Sequence, residues 1–249
     1  MEDYEPIYYD DVEEARNRPD KSMLAIKTMC PEKLLASDVA FPEQVKHLWL
    51  YLSFDYSDFS EMEKYLYKKD CDCPQFDGTC NKCSWTYKYT DNLCKDLVNF
   101  NHLETLILYD VNLSSELWSQ FAQNSTCLKE IYFISNCDPG DNFDGFNFDT
   151  EEGLLKLETI VQIPTLEKVK FSNLKLHYFP KGPSNLKHVE LDKLRCDYYY
   201  DYSKQPLRES FHNNFSTHTQ LTFIYVDVDP YQLEFSVLQL EKLKQLEYI

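Results

Sequence analysis

Two neighbouring stretches of the chain share one spacing of apolar residues, and this spacing limits the folds that the sequence can adopt. Residues 166–176 and 186–196 both carry apolar side chains at relative positions 1, 4, 6, 9 and 11, and the second stretch begins 20 residues after the first. Two copies one repeat length apart indicate a repeating unit. Positions 4 and 6 alternate as in a strand and point inward, while positions 1, 9 and 11 fill the corners of a coil. A single coil cannot cover its own apolar side, so it needs neighbouring coils.

This spacing resembles the pattern of the leucine-rich repeat family, L-x-x-L-x-L-x-x-N-x-L. Further copies of the pattern can be aligned along the chain, and the coils begin at Val45, Leu103, Leu128, Leu166, Leu186, Leu221 and Leu243. Asn136 matches the family's asparagine, whereas Val111, Leu174 and Leu194 replace it in other coils. The repeats are therefore irregular. The resemblance implies an α/β solenoid of about seven or eight coils, a horseshoe with a parallel β-sheet on its concave face.

The segments between the predicted strands include two with helical features. Ser114 precedes a run that places Leu117 and Phe121 on one face, as expected of a capped amphipathic helix. Residues 150–161 begin with acidic side chains and stop before a proline, which also favours a helix. Helices that return between parallel strands fit the α/β class.

The chain divides into three parts on composition and spacing. Residues 1–22 are acidic and have no clean period, so we expect a mobile arm. Residues 23–44 are predicted to form a helical cap over the first coil. The repeat domain follows at residues 45–249. Its first two coil starts are 58 residues apart, too far for one coil, which predicts an insertion at residues 65–95.

The charge and composition of the chain exclude several classes of function. The net charge of −17 repels nucleic acids and anionic membranes and favours a protein partner with a basic surface, although the excess could serve solubility alone. Five glycines without a phosphate-loop motif argue against nucleotide binding. The start of the chain lacks secretion-signal features, and no apolar run reaches the length of a membrane helix. We therefore expect a cytoplasmic or nuclear protein.

The cysteines provide the sharpest local pattern. Nine cysteines without a secretion signal are expected to be reduced thiols or metal ligands. Two pairs lie in the predicted insertion, the second with the two-residue spacing typical of zinc ligands and the first with a tighter one-residue spacing. Four thiolates could close a tetrahedral structural zinc site, and the alternative is four unpaired thiols in a polar loop. The predicted ligands are Cys71, Cys73, Cys80 and Cys83, with Cys94 or His102 as a substitute for one of them.

The side chains at coil positions 5 and 7 are expected to share the concave surface. This surface is aromatic and aliphatic in its N-terminal half and polar or acidic in its C-terminal half, and exposed aromatic clusters are typical of protein-binding surfaces. The alternative is that the arm or the insertion folds over it. The predicted partner-binding residues are Trp49, Tyr51, Tyr109, Tyr132, Ile134, Lys170, Tyr225 and Asp227, and the same rows include Ile107, Ser172, Glu190 and Asp192.

The resemblance implies non-catalytic protein recognition, so the leading expectation is a protein-interaction module. In fungal leucine-rich repeat proteins that resemble this chain, an F-box at the N-terminal side recruits a ubiquitin ligase scaffold. Residues 23–44 carry fragments of that pattern, so a substrate receptor with a diverged or missing F-box is the alternative. A hydrolase that uses Asp227, Asp229 and His218 is a third alternative, but no catalytic motif accompanies these residues and we expect no enzyme.

Overall fold

The computed structural model has a mixed α/β fold built on one large sheet. It describes residues 6–28, 31–52, 66–69, 84–87, 90–135, 146, 148, 151–174, 176, 179–194, 214–215 and 217–228. The strands are β1 (Met23–Lys27), β2 (His47–Tyr51), β3 (Leu66–Lys69), β4 (Ser84–Tyr87), β5 (Thr105–Tyr109), β6 (Glu130–Ile134), β7 (Lys168–Ser172), β8 (His188–Leu194) and β9 (Phe223–Val228). The helices are α1 (Val12–Asn17), α2 (Glu32–Leu35), α3 (Ser37–Ala40), α4 (Asp91–Cys94), α5 (Ser115–Asn124) and α6 (Glu151–Val161), with a 3-10 helix at Lys95–Asn99.

The large sheet has seven parallel strands in the order β1-β2-β5-β6-β7-β8-β9, and it is open. Each strand therefore pairs with the next strand of the sheet along the chain. One row of register partners runs through Leu106, Ile131, Val169, Val189 and Ile224. The predicted parallel sheet is confirmed by this row. Strands β3 and β4 pair with each other antiparallel, inside the predicted insertion.

The inward side of the sheet forms one apolar core. Two side chains of each strand of this sheet from β1 to β8 point into it and are almost fully buried, and those from β2 onward occupy the predicted inward positions 4 and 6. They are Leu24, Ile26, Leu48, Leu50, Leu106, Leu108, Ile131, Phe133, Val169, Phe171, Val189 and Leu191. At about 1.5–3 kcal/mol for each large apolar side chain taken from water, this row is a major source of stability.

The helices that return between the strands close this core. Ser114 caps α5 by accepting a hydrogen bond from the Leu117 amide at 3.2 Å, as its position before the apolar run predicts. The buried Trp118 of α5 packs edge-on against Phe133 of β6, with ring centroids 5.7 Å apart. Phe133 also stacks on Phe171 of β7 at 5.4 Å. Both predicted return helices are present, over Ser115–Asn124 and Glu151–Val161.

A left-handed backbone conformation recurs at position 8 of the repeat pattern, directly after β5 and β7 and inside β8. Asp110, Asn173 and Lys193 all have positive φ there, between 51° and 56°. Asp and Asn tolerate this left-handed conformation better than most residues. The Ser135 hydroxyl donates to Asp110 Oδ1 at 3.0 Å, and the Asn173 side chain donates to the Ser135 carbonyl at 3.0 Å. Polar groups at this position thus join neighbouring strands, one place before the position at which the resemblance predicts an asparagine. Asn136 itself lies outside the described residues.

A ladder of alternating charges, at position 2 of the repeat pattern, lies along the end of the sheet at which the strands begin. Its members are Lys46, Glu104, Lys129, Glu167 and Lys187. Glu104 forms ion pairs with both of its lysine neighbours at 3.0 Å, and Lys187 pairs with Glu167 at 2.7 Å. The backbone amide of each member from Glu104 onward donates to the carbonyl of the member before it. A groove of about 570 Å³ opens along this end of the sheet.

The N-terminal residues differ from the expected mobile arm. Residues 6–22 contain α1, whose Asp11 cap accepts hydrogen bonds from the amides of Glu13 and Glu14. The guanidinium of Arg18 is buried and donates to four backbone carbonyls, which belong to Ala15, Met23, Val39 and Ala40. These contacts tie the segment to the residues that follow it.

The next segment differs from the expected helical cap at its start. Residues 23–27 form strand β1, which pairs in parallel with β2, and the helices of this segment are the two four-residue helices α2 and α3. The run Met-Leu-Ala-Ile-Lys is short enough to suit a helix or a strand, and pairing with β2 decides between them. None of the helices that the structure describes is long and apolar enough to cross a membrane.

Candidate protein-interaction face

The side of the large sheet that points away from the core, called the outer face below, presents three rows of side chains. The rows follow from the parallel register, with one residue from each strand in each row. The first row is Met23, His47, Thr105, Glu130, Lys168, His188 and Phe223. The middle row is Ala25, Trp49, Ile107, Tyr132, Lys170, Glu190 and Tyr225. The last row is Lys27, Tyr51, Tyr109, Ile134, Ser172, Asp192 and Asp227. All eight predicted partner-binding residues lie in the second and third rows.

The N-terminal half of the outer face is aromatic, as predicted, but its middle row is covered. Trp49 is 7% exposed and Tyr132 is 9% exposed, and together with Ala25 and Ile107 they form a second apolar cluster. Tyr109 packs against this cluster and meets the Tyr51 ring edge-on, with centroids 5.4 Å apart. The expectation that Trp49 and Tyr132 are exposed anchors is therefore wrong.

Tyr8 of the N-terminal segment contributes to this cover. Its side chain packs against the same cluster, and its ring lies 6.3 Å from the ring of Tyr51. The phenol of Tyr8 also acts on that of Tyr109, where it opposes the rise that burial causes in the pKa of Tyr109. The possibility that the arm folds over the face is thus realised at Tyr8.

At the centre of the face, Tyr132 connects the aromatic half to the charged half. Its hydroxyl donates to Glu130 Oε2 at 2.6 Å, and the ammonium of Lys168 lies 5.3 Å from its ring centroid. Burial, together with the carboxylate of Glu130, raises the pKa of Tyr132. The phenol therefore stays protonated and remains a donor throughout the physiological range.

Charged side chains of β7 and β8 form a network in the C-terminal half. The carboxylate of Glu190 pairs with Lys168 at 2.7 Å and with Lys170 at 3.4 Å, and His188 Nε2 lies 2.9 Å from it. Lys170 also pairs with Asp192 at 3.4 Å. Burial alone would raise the pKa of Glu190, but its pairs with the two lysines lower it. The network holds these side chains in place before any partner arrives.

The last described strand carries an exposed aromatic side chain of the outer face. Tyr225 is 45% exposed, and it lies beside Glu190 in the middle row. Phe223 stacks on the ring of His188 with centroids 4.1 Å apart, so it is fixed while Tyr225 is open to solvent. Asp227 pairs with Asp192 in the backbone register, and its side chain lies outside the described residues.

The first row of the outer face was not predicted from the sequence. Four of its residues, Glu130, Lys168, His188 and Phe223, occupy position 3 of the repeat pattern, whereas the prediction covered positions 5 and 7. The signal was available, because residues two apart on a strand share a face and position 3 is two places before position 5. His188 and Lys168 belong to the charged network of β7 and β8. Positions 5 and 7 alone supply only its other members, Lys170, Glu190 and Asp192.

The predicted zinc ligands Cys71, Cys73, Cys80 and Cys83 lie outside the described residues, so the zinc site stays a prediction. Within the described residues, no group of three or more potential ligands comes together. The proposed substitute Cys94 is fully buried, and burial raises the pKa of its thiol to about 12.

His218 has a structural position. The Ser184 hydroxyl donates to its Nδ1 at 2.6 Å, and its Nε2 donates to the Pro180 carbonyl at 2.8 Å, which assigns the neutral tautomer with the proton on Nε2. The ring is fully buried, and burial lowers the pKa of His218. Both ring nitrogens are therefore engaged inside the protein, while Asp229 lies outside the described residues.

Comparison with known proteins adds no assignment to this geometry. No protein-family model, no curated protein and no solved structure matches the chain.

Proposed function

We propose that this chain is a leucine-rich-repeat-like solenoid and that it works as a non-catalytic protein-interaction module through its outer face. The observation that carries the proposal is a broad in-register face whose C-terminal end is both ordered and open, at Lys170, Glu190 and Tyr225. A tyrosine on a rigid surface supplies contact area with little loss of conformational entropy.

The order of this face favours binding. Cross-strand ion pairs already fix the long side chains of Lys168 and Lys170. Freezing such side chains during association would cost roughly 0.5–1.5 kcal/mol each. A partner that meets a preorganised surface avoids most of that cost.

The charge of the chain indicates the kind of partner. With 42 acidic residues against 25 basic ones, the field of the protein attracts a basic protein surface. At the open end, Glu190 and Asp192 supply local acceptors for such a partner. We expect its arrival to be faster at low salt than at high salt, because screening weakens long-range steering.

Affinity capture with the tagged protein tests the proposal. The test variant is Tyr225→Ala, and the matched control is Leu155→Ala, which removes an exposed apolar side chain from α6. We expect Tyr225→Ala to lose captured partners that wild type and Leu155→Ala retain, with little change in the thermal midpoint. Equal capture by both variants would argue against the outer face as the binding surface.

The substrate receptor of a ubiquitin ligase stays a prediction from the sequence. Residues 31–44 hold α2 and α3 within an N-terminal segment that also contains β1. Recovery of the ligase's adaptor subunit with the tagged protein would favour this reading, and its absence under conditions that retain other partners would discard it.

A further inference from the structure

The residues at positions 7–9, called the strap below, extend the large sheet by one more parallel bridge. The Tyr9 amide donates to the Ala25 carbonyl at 2.8 Å, and the Lys27 amide donates to the Tyr9 carbonyl at 3.2 Å. These two bonds use the free edge of β1, which would otherwise present unpaired backbone groups. The strap therefore sits where an added strand would sit.

The side chains of the strap alternate as those of a strand do. Tyr8 points to the outer face, where it packs against the second apolar cluster and lies against the ring of Tyr51. Tyr9 points the other way and packs against the main core. Lys27 places its ammonium 4.8 Å from the ring centroid of Tyr51, which closes one side of the site. The strap thus pairs with the backbone edge of β1 and at the same time places an aromatic ring against Tyr51.

The strap is held less firmly than the helix that follows it. It has two backbone hydrogen bonds to the sheet, and Ile7 is 68% exposed. Helix α1 is fixed separately, by the buried Ala15 and by the four carbonyl contacts of Arg18. Segments with few buried contacts open locally at a small fraction of the global stability. The strap can therefore leave the sheet while α1 stays in place.

We propose that the β1 edge and the adjoining Tyr51–Tyr109 site form an exchangeable docking site for an extended, tyrosine-bearing segment of a partner protein, and that the strap occupies this site in cis. The partner would add a strand to the edge and place its tyrosine where Tyr8 now lies. Backbone pairing would give affinity and the aromatic site would give selectivity, as in other cases of strand addition. This inference rests on the proposed function, since it assigns a second docking position on the same outer face.

The test uses the full chain with the double substitution Tyr8→Ala and Tyr9→Pro. Proline at position 9 removes the amide that donates to Ala25, and alanine at position 8 empties the aromatic site. The probe is a fluorescent peptide of residues 6–11, measured by anisotropy. The tethered strap acts at an effective concentration on the order of millimolar, so we expect the double variant to bind the peptide at least about tenfold more tightly than wild type.

Two controls make the result specific. Ile7→Ala alters an exposed strap side chain and should bind the peptide like wild type, and a peptide carrying Tyr8→Ala should lose most of the gain. Equal binding of the peptide to wild type and to the double variant would overturn the proposal. So would equal binding of the two peptides, because the aromatic site would then play no part.

A second measurement covers the case in which the double variant does not fold. Tyr8→Ala alone removes the ring that lies against Tyr51, and we expect severalfold faster hydrogen exchange at the Lys27 amide, with no change at the Lys187 amide, which donates to Glu167. Unchanged exchange at Lys27 would contradict the role of Tyr8. If Tyr225→Ala loses its captured partners but the peptide shows no exchange, only the inference about the β1 edge is overturned. If the peptide exchanges but Tyr225→Ala retains its partners, only the proposed binding surface at Tyr225 is overturned.

Discussion

At the scale of single residues, Arg18 determines how the N-terminal segment is attached. Its side chain is 3% exposed, and its guanidinium satisfies carbonyls that lie 3 to 22 positions away in the sequence. Burial lowers the pKa of Arg18, although the group stays charged. In the sequence it is one charged residue in an acidic stretch, where solvation is the natural expectation. Its burial could not be predicted, because its acceptors meet only in the folded chain.

Replacement of Arg18 tests this attachment. Arg18→Met keeps much of the packing volume but leaves four carbonyls without their donor, so we expect a loss on the order of 2–4 kcal/mol in the free energy of unfolding. Arg16→Met is the control, because Arg16 forms a single exposed pair with Asp38 and should cost less than about 1 kcal/mol. Chemical denaturation of both variants measures the difference, and equal losses would contradict the role given to Arg18.

At the scale of elements, the spacing that predicts the inward residues also aligns the residues of the charge ladder, which all occupy position 2. Position 2 alternates between lysine and glutamate from Lys46 to Lys187, and the parallel register turns this alternation into ion pairs. This feature was readable from the sequence once the spacing was set. Strand β1 was not, since a five-residue apolar run lacks the length that separates strand from helix.

The ladder predicts a dependence of stability on pH. Hydrogen bonds from Lys129 and Lys46 lower the pKa of Glu104 to about 2, below its ordinary value of about 4.3. Its contribution is therefore present above about pH 5 and is lost as the pH falls toward 2. The pairs are partly exposed, so we expect Glu104→Gln to cost about 1 kcal/mol or less at pH 7 and almost nothing near pH 2.

Unfolding free energies of wild type and Glu104→Gln at several pH values give this difference directly. Glu43→Gln, at an exposed position in the turn before β2, serves as the control and should show no such trend. A cost for Glu104→Gln that is the same at pH 3 and pH 7 would show that the ladder does not couple the carboxylate to its lysines.

At the scale of the whole molecule, the parallel sheet and its core were predictable and the cover of the outer face was not. Periodicity assigns Trp49 and Tyr132 to this face, but it carries no information about what lies over them. Tyr8 is some 40 residues away from Trp49 in the sequence, and no local pattern connects the two. For this reason aromatic residues that were expected to be open anchors are buried, while the open end lies at Tyr225.

The same core makes a prediction about cooperativity. One continuous apolar cluster runs from Ala15 to Leu221, and Phe133 lies at its centre, where its ring meets Trp118, Phe146, Phe148 and Phe171. Repeat arrays can lose cooperativity when their coils contact only their neighbours. The shared aromatic packing opposes this, so we expect one unfolding transition for the part of the chain that the structure describes.

Phe133→Ala tests that expectation. Replacement of a buried phenylalanine by alanine typically lowers the free energy of unfolding by 3–5 kcal/mol. We expect this loss to destabilise the whole sheet and not only the strands next to Phe133. Tryptophan fluorescence and far-ultraviolet circular dichroism should therefore shift together in denaturant, with one midpoint. Leu155→Ala, at an exposed position on α6, should leave that midpoint nearly unchanged. Two separated transitions in the Phe133→Ala variant would mean that the N-terminal and C-terminal parts of the sheet fold as independent units.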